Sequence, residues 1–170
     1  MRTHGKSRDV PWPGSPWDEI APRLWMGGHF WTDPGGEIRP AVVDGEFDLV
    51  VSLFTRAGHG PAPGVDHLVA QIPDAPLTAQ QIRTVQQVAR TAADAVRDGR
   101  ATLVRCHYGY NRSGLVVAQT LVELGQDTGT AINLLRLHRS PRALSNETFE
   151  QYLATGLDTA CLLAGLEPLG

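Results

Sequence analysis

Ala101-Thr-Leu-Val-Arg-Cys106-His-Tyr-Gly-Tyr-Asn-Arg112-Ser-Gly-Leu-Val-Val-Ala-Gln-Thr-Leu121 is the stretch on which the fold turns. It opens with an apolar run, Ala101 to Val104, that reads as a buried strand, and it closes with an apolar helical pattern from Gly114 to Leu121. Between them lies a short loop with Gly109 at its middle. A strand, a tight loop and a helix N-terminus together make an anion site, because backbone N–H groups and the positive end of the helix dipole converge on one point. Cys106 opens the loop, where the donors that hold phosphate also stabilise a thiolate. Arg112, six positions on, carries a planar fork suited to two phosphate oxygens. The loop therefore reads as a phosphate cradle with a nucleophile in it.

Outward from this segment the chain alternates between strands and helices. Ile20 to Met26, ended by Gly27-Gly28, reads as a short strand and turn. Phe47 to Phe54 reads as a strand buried on both faces, and Val65 to Ile72 as a further strand after a glycine- and proline-rich loop over residues 55–64. Thr78-Ala-Gln-Gln81 is a capping box, opening a helix whose apolar stripe is Ile82, Val85, Ala89, Ala92 and Val96 and whose end is Gly99. Two more helices are expected, over Thr130 to Arg139 and from a Ser145 cap to about Leu163. Strands first, then βα alternation and a helical C-terminal third, predict one α/β domain: a mostly parallel twisted sheet flanked by helices, over residues 17–170. Residues 1–16 are polar with three prolines and are expected to be a flexible segment.

These motifs resemble the cysteine-dependent protein tyrosine phosphatases, in particular the small dual-specificity phosphatases. Their signature is Cys, five residues with a central Gly, then Arg and Ser or Thr, as in Cys106 to Ser113. Ile20-x-Pro-x-Leu-Trp-Met-Gly27 resembles the opening strand and turn of that family, Ile72-Pro-Asp-x-Pro76 its acid loop, and Arg139-x-x-Arg142-x-x-x-Asn146-x-x-Phe149 the segment after its signature. The resemblance covers about four fifths of the chain, from Trp17 to about Leu153. It implies the phosphatase α/β fold and hydrolysis of phosphotyrosine, with phosphoserine and phosphothreonine as further substrates, through a cysteinyl-phosphate. Cys106 would attack, the backbone of His107, Tyr108, Gly109, Tyr110, Asn111 and Arg112 would hold the oxyanions, and Ser113 would assist departure of the sulfur. Asp74 would protonate the leaving oxygen; its other reading is a turn-forming Asp between two prolines, and Asp66 is the competing acid. The side chains of His107, Tyr108, Tyr110 and Asn111 are expected to point outward and line the pocket entrance.

Arg105 departs from the family, which has His immediately before the nucleophile. It reads either as a loop-ordering cation or as a strand-end side chain paired to a carboxylate. Asn146 reads either as a brace between active-site loops or as a helix cap. Arg139 and Arg142 are candidates for attracting an acidic substrate at the pocket mouth.

The bulk composition narrows the remaining classes. A hydrophobic content of 42% and a charged content of 19% suit a soluble globular protein. No run of 18 apolar residues occurs, so no membrane partner is expected, and no apolar segment follows the polar first residues as in a signal peptide. A formal net charge of −3 speaks against nucleic acid as partner. Two distant cysteines suggest a reducing cytoplasm, with Cys161 a core residue or a redox partner for Cys106. The six histidines show no ligand spacing, so neither metal nor cofactor is expected. The expected partner is a phosphoprotein or phosphopeptide, with inhibition by phosphate-like oxyanions. Three alternatives are an RNA 5′-triphosphatase, suggested by Gly109-Tyr-Asn-Arg-Ser113, a phosphoinositide phosphatase, and a phosphate-binding module without turnover.

Overall fold

The computed structural model describes residues 10–166. Its central sheet has the order β1-β2-β7-β5-β6. These strands are β1 Trp17–Ala21, β2 Leu24–Gly27, β5 Leu49–Ser52, β6 Asp66–Val69 and β7 Thr102–Arg105. β2, β7, β5 and β6 run parallel, and only β1 is antiparallel to its neighbour. β7 lies in the middle, fully buried, so the loop that follows it emerges from the centre of the sheet edge. A two-stranded hairpin, β3 Phe30–Thr32 and β4 Ile38–Pro40, forms a separate small sheet.

The helices are α1 Ala79–Arg97, α2 Arg112–Glu123, α3 Thr128–His138, α4 Glu147–Thr155 and α5 Leu157–Leu166. Alternation along the strands divides the core in two. Met26, Leu49, Val51 and Val104 face one way and meet the helices, among whose buried side chains are Ile82, Leu115, Leu135 and Phe149. Val50 and Leu103 face the other way into a smaller cluster with Val43 and Phe47, edged by Trp17 and Trp25. The α/β architecture expected from the sequence, a mostly parallel sheet flanked by helices, is the one observed.

Local expectations fared unevenly. The capping box is present: Thr78 N–H donates to Gln81 Oε1 at 2.9 Å and Gln81 N–H to Thr78 Oγ1 at 3.1 Å. The segment Ile20 to Met26 is not one strand. Pro22 has no N–H to give to a ladder and Arg23 takes φ 71°, so the chain reverses into the β1–β2 hairpin. The strand expected over Val65 to Ile72 is shorter, because β6 is an exposed edge with only one neighbour. Asn146 rather than Ser145 caps the first C-terminal helix, and Gly156 at φ 93° splits the single expected helix into α4 and α5.

Of the segment expected to be flexible, residues 1–9 lie outside the described residues. Residues 10–16 are packed against the domain: Thr32 N–H donates to Pro13 O at 2.8 Å, Gly28 N–H to Pro16 O at 3.3 Å and Tyr110 Oη–H to Pro11 O at 2.8 Å.

Phe149 is fully buried between α4 and the rest of the helical layer. Phe149→Ala is expected to lower the unfolding free energy by about 3–5 kcal/mol, the range for an aromatic removed from a core. Urea denaturation measures this as a lower midpoint with an unchanged m-value.

Candidate active site

The loop from Cys106 to Asn111 joins the buried end of β7 to the N-terminus of α2. Its shape is set from outside. His29 N–H donates to His107 O at 2.8 Å. The Arg139 guanidinium donates from Nη2 to Tyr108 O at 3.0 Å and from Nε to Gly109 O at 3.1 Å. Leu144 N–H takes Tyr110 O at 3.0 Å, and Leu115 N–H takes Asn111 O at 2.8 Å. Each carbonyl from residue 107 to 111 is thus drawn away from the loop's centre. In a trans peptide the N–H points opposite to the preceding C=O, so the N–H groups of residues 108–112 turn inward. The result is a concave ring of donors at a helix N-terminus.

Two close approaches require glycine. Gly109 has φ 80°, and a Cβ there would lie 2.6 Å from the Gly27 backbone. A Cβ on Gly28 would lie 2.7 Å from His107 O. Both positions let β2 and the loop touch through backbone alone.

Cys106 lies at the floor, 2% exposed, with Sγ 3.3 Å from the buried Ser113 Oγ. A cavity of about 160 Å³ opens above it, bounded on its polar side by Asp74, Asn111, Arg112 and Ser145. Arg112 sits over the Phe54 ring, 5.3 Å from the centroid, and its Nη1 reaches Ile72 O at 3.4 Å. Its Nε is buried and has no partner among the described residues. Asp74 stands on the exposed lip. Asn111 Nδ2 donates to one of its oxygens at 3.1 Å and Asn146 Nδ2 to the other at 2.7 Å. Asn146 also accepts the Phe149 N–H at 3.1 Å, so it braces and caps at once. Asp66 is elsewhere: it begins β6, at the opposite end of the parallel strands from Cys106, and pairs with Arg100.

Of the four loop side chains expected to point outward at the entrance, Tyr108 and Asn111 line the cavity, Tyr110 lines it while itself buried, and His107 does not line it. The His107 ring packs edge-on against Trp12, Phe54 and Tyr108, at centroid distances of 5.1 Å in each case. Arg105 is buried and, among the described residues, pairs with no carboxylate. It donates to Ser52 Oγ at 3.0 Å, His59 O at 2.9 Å and Gly60 O at 2.7 Å, tying the loop after β5 to the sheet. Burial pulls its pKa down to about 10, which leaves it a cation at neutral pH. Arg139 is not at the pocket mouth. It lies behind the loop, where its Nη1 also donates to Ser15 O at 2.9 Å and to Asp18 at 2.8 Å.

Sequence reasoning missed this clamp and the Val10–Pro13 segment. A tryptophan amid prolines was the available signal for the second, since such a ring seeks a surface to cover. Among the described residues, no group of three or more His, Cys, Asp or Glu is arranged to hold a metal ion. No helix among them is long and apolar enough to cross a membrane.

No family model and no curated protein sequence matches the chain. Solved structures do. Human DUSP28 superposes with a TM-score of 0.68 at 22% identity, over 88% of this chain and 98% of that one. A mouse putative dual specificity phosphatase, complexed with zinc tungstate, gives 0.65 at 26% identity over 95% and 97%. The human tyrosine phosphatase-like serine/threonine/tyrosine-interacting protein gives 0.60 at 20% identity over 86% and 97%. The chain has the fold of the dual-specificity-type cysteine phosphatases.

Behind the loop, His29 is wholly buried, with Nε2 2.8 Å from Phe54 O and Nδ1 3.1 Å from His59 Nδ1. Burial pushes its pKa from 6.5 down to about 4. His59 and His107 are shifted the same way, mainly by burial. These rings are neutral when folded and protonate near 6.5 when unfolded, so stability is complete above about pH 6.5 and declines as pH falls toward 4. His29 alone accounts for up to about 3 kcal/mol of that decline. Urea denaturation at stepped pH measures the slope, which His29→Asn is expected to flatten.

Gly109→Ala places a Cβ in the left-handed region, at about 1–2 kcal/mol, and against Gly27. Vanadate affinity, measured by calorimetry, is expected to fall at least about tenfold as the ring of donors opens.

Proposed function

We propose that the protein is a phosphomonoester hydrolase acting on phosphotyrosine, and on phosphoserine or phosphothreonine, in proteins. The observation that carries this reading is the buried Nε of Arg112 above Cys106, without a partner among the described residues, at the end of an inward-facing ring of N–H donors. A donor buried without an acceptor is costly, and a phosphate oxygen would satisfy it. The fold shared with phosphatases supports the assignment, and the tungstate in the mouse structure shows a phosphate-like oxyanion bound by a protein of this fold.

In the first step the Cys106 thiolate attacks phosphorus. The S–P bond forms and the P–O bond to the leaving group breaks, while Asp74, entering protonated, gives its proton to the departing oxygen. The N–H groups of His107 through Arg112 and the Arg112 guanidinium carry the charge on the three non-bridging oxygens. In the second step Asp74, now a carboxylate, takes a proton from water, the water oxygen bonds to phosphorus, and the S–P bond breaks. Ser113 Oγ, 3.3 Å from Cys106 Sγ, turns its O–H toward the sulfur as the sulfur regains its charge. Asn111 and Asn146 hold Asp74 through both oxygens, an arrangement that suits the carboxylate of this second step. No metal or cofactor enters either step. A reducing cytoplasm suits a mechanism that needs the free thiol present at Cys106.

Hydrolysis of para-nitrophenyl phosphate in EDTA tests this. Wild type is expected to turn over, Cys106→Ser to lose activity entirely, and Asp74→Asn to lose about 10²–10⁴-fold in kcat. Competitive inhibition by vanadate or tungstate is expected alongside. Wild-type protein that binds vanadate but releases no para-nitrophenol would overturn hydrolysis in favour of a phosphate-binding module.

A further inference from the structure

The cavity is not lined by the acid loop and the phosphate loop alone: Val10, from the segment that precedes β1, stands in its lining with Tyr108 and Tyr110. This segment is fastened directly to the phosphate loop. Trp12 stacks on Tyr108 with centroids 4.3 Å apart and planes 25° apart. Tyr108 in turn lies parallel to Tyr110, 5.8 Å away at 7°. Tyr110 Oη–H donates to Pro11 O at 2.8 Å. Trp12 also meets Phe30 at a tilt, 5.2 Å away, and His107 edge-on at 5.1 Å. Further along, Pro13 O takes the Thr32 N–H at 2.8 Å, and Ser15 O takes the Arg139 guanidinium that clamps the loop.

We infer that the Val10–Pro13 strap is a specificity element, which holds the stacked Tyr108 and Tyr110 rings in place at the cavity and thereby selects aryl over alkyl phosphate monoesters. The inference rests on the phosphatase reading of the same cavity and adds its substrate class. A phenyl ring standing above Cys106 would lie beside Val10 and the tyrosine rings, removing apolar surface from water. A seryl phosphate would bring a short methylene into the same space and leave that surface wet. Tyr108 is held against Trp12 on the strap side, so its ring is kept in place before a substrate arrives, which lowers the ordering cost of binding. Trp12 itself is not among the residues lining the cavity; it acts through Tyr108 and is a positioning residue.

The test measures affinity in the Cys106→Ser background, where nothing turns over, for two peptides identical except for phosphotyrosine or phosphoserine. Adding Trp12→Ala is expected to weaken phosphotyrosine binding about five- to tenfold and phosphoserine binding less than twofold. Trp12→Phe, which keeps a flat ring against Tyr108, is expected to restore the ratio. Parallel thermal denaturation separates a fold defect, which would weaken both peptides alike. The inference is overturned if the two affinities fall together, if neither changes, or if Trp12→Phe behaves as Trp12→Ala. Its failure is distinct from that of the phosphatase reading: a wild type that hydrolyses the phosphotyrosyl peptide while the ratio ignores Trp12 sinks the strap alone. A wild type without turnover whose affinity ratio still follows Trp12 sinks hydrolysis alone.

Discussion

The site depends on a backbone constraint: five consecutive carbonyls must face away from the place where an anion is to sit. A free loop would not hold that shape, because each carbonyl gains as much from water on one side as on the other. Here the donors are provided by the rest of the protein. His29 follows β2, Leu144 precedes α4, Leu115 belongs to α2, and Arg139 ends α3. Arg139 contributes most, since one guanidinium takes two of the carbonyls and is itself held by Asp18 and Ser15. A fork-shaped cation with five fixed donors suits this role where a lysine would not. The loop is therefore shaped in advance by its surroundings, and its N–H groups need no rearrangement to meet charge.

Arg105 shows the same logic one residue before the nucleophile. A guanidinium buried without a carboxylate is expensive, and its three neutral acceptors offset only part of that. What it gains is mechanical, because Ser52 on β5 and the carbonyls of His59 and Gly60 are tied to the end of β7. His59 is the neighbour of His29, whose backbone N–H holds the first loop carbonyl. Arg105 thus fastens the end of β7 on the face of the sheet away from the helices.

Much of the candidate site was legible in the sequence because it is local. Cys106 and Gly109 lie in one short loop, and Arg112 and Ser113 in the first turn of the helix after it, so the flanking apolar runs and the spacing carry the geometry. Asp74 could be placed only through resemblance, since 32 residues separate it from Cys106 and nothing in its own neighbourhood distinguishes an acid from a turn residue. Asn146 was ambiguous for a physical reason: its amide has two ends, and it caps with the oxygen while bracing with the nitrogen. His107 was misplaced because adjacent loop residues need not face the same way. Its ring found an aromatic cluster assembled from Trp12, Phe30 and Phe54, none of them near it in sequence.

By itself the sequence determined the α/β class, the buried central strand and the loop and helix that follow it, because hydrophobic periodicity and loop chemistry act over a few residues. Only the tertiary structure decided which face of the loop is a cavity and what encloses it. Residues 10–16, with three prolines and a glycine in seven positions, read as loose when considered alone, since such a segment forms no regular element of its own. Folding supplies the surface they lack: the Tyr108 ring for Trp12, the Tyr110 hydroxyl for Pro11, the Arg139 guanidinium for Ser15. Those partners lie some 95 to 125 positions away in the chain, and they come within reach only when the sheet brings β1 and the end of β7 together.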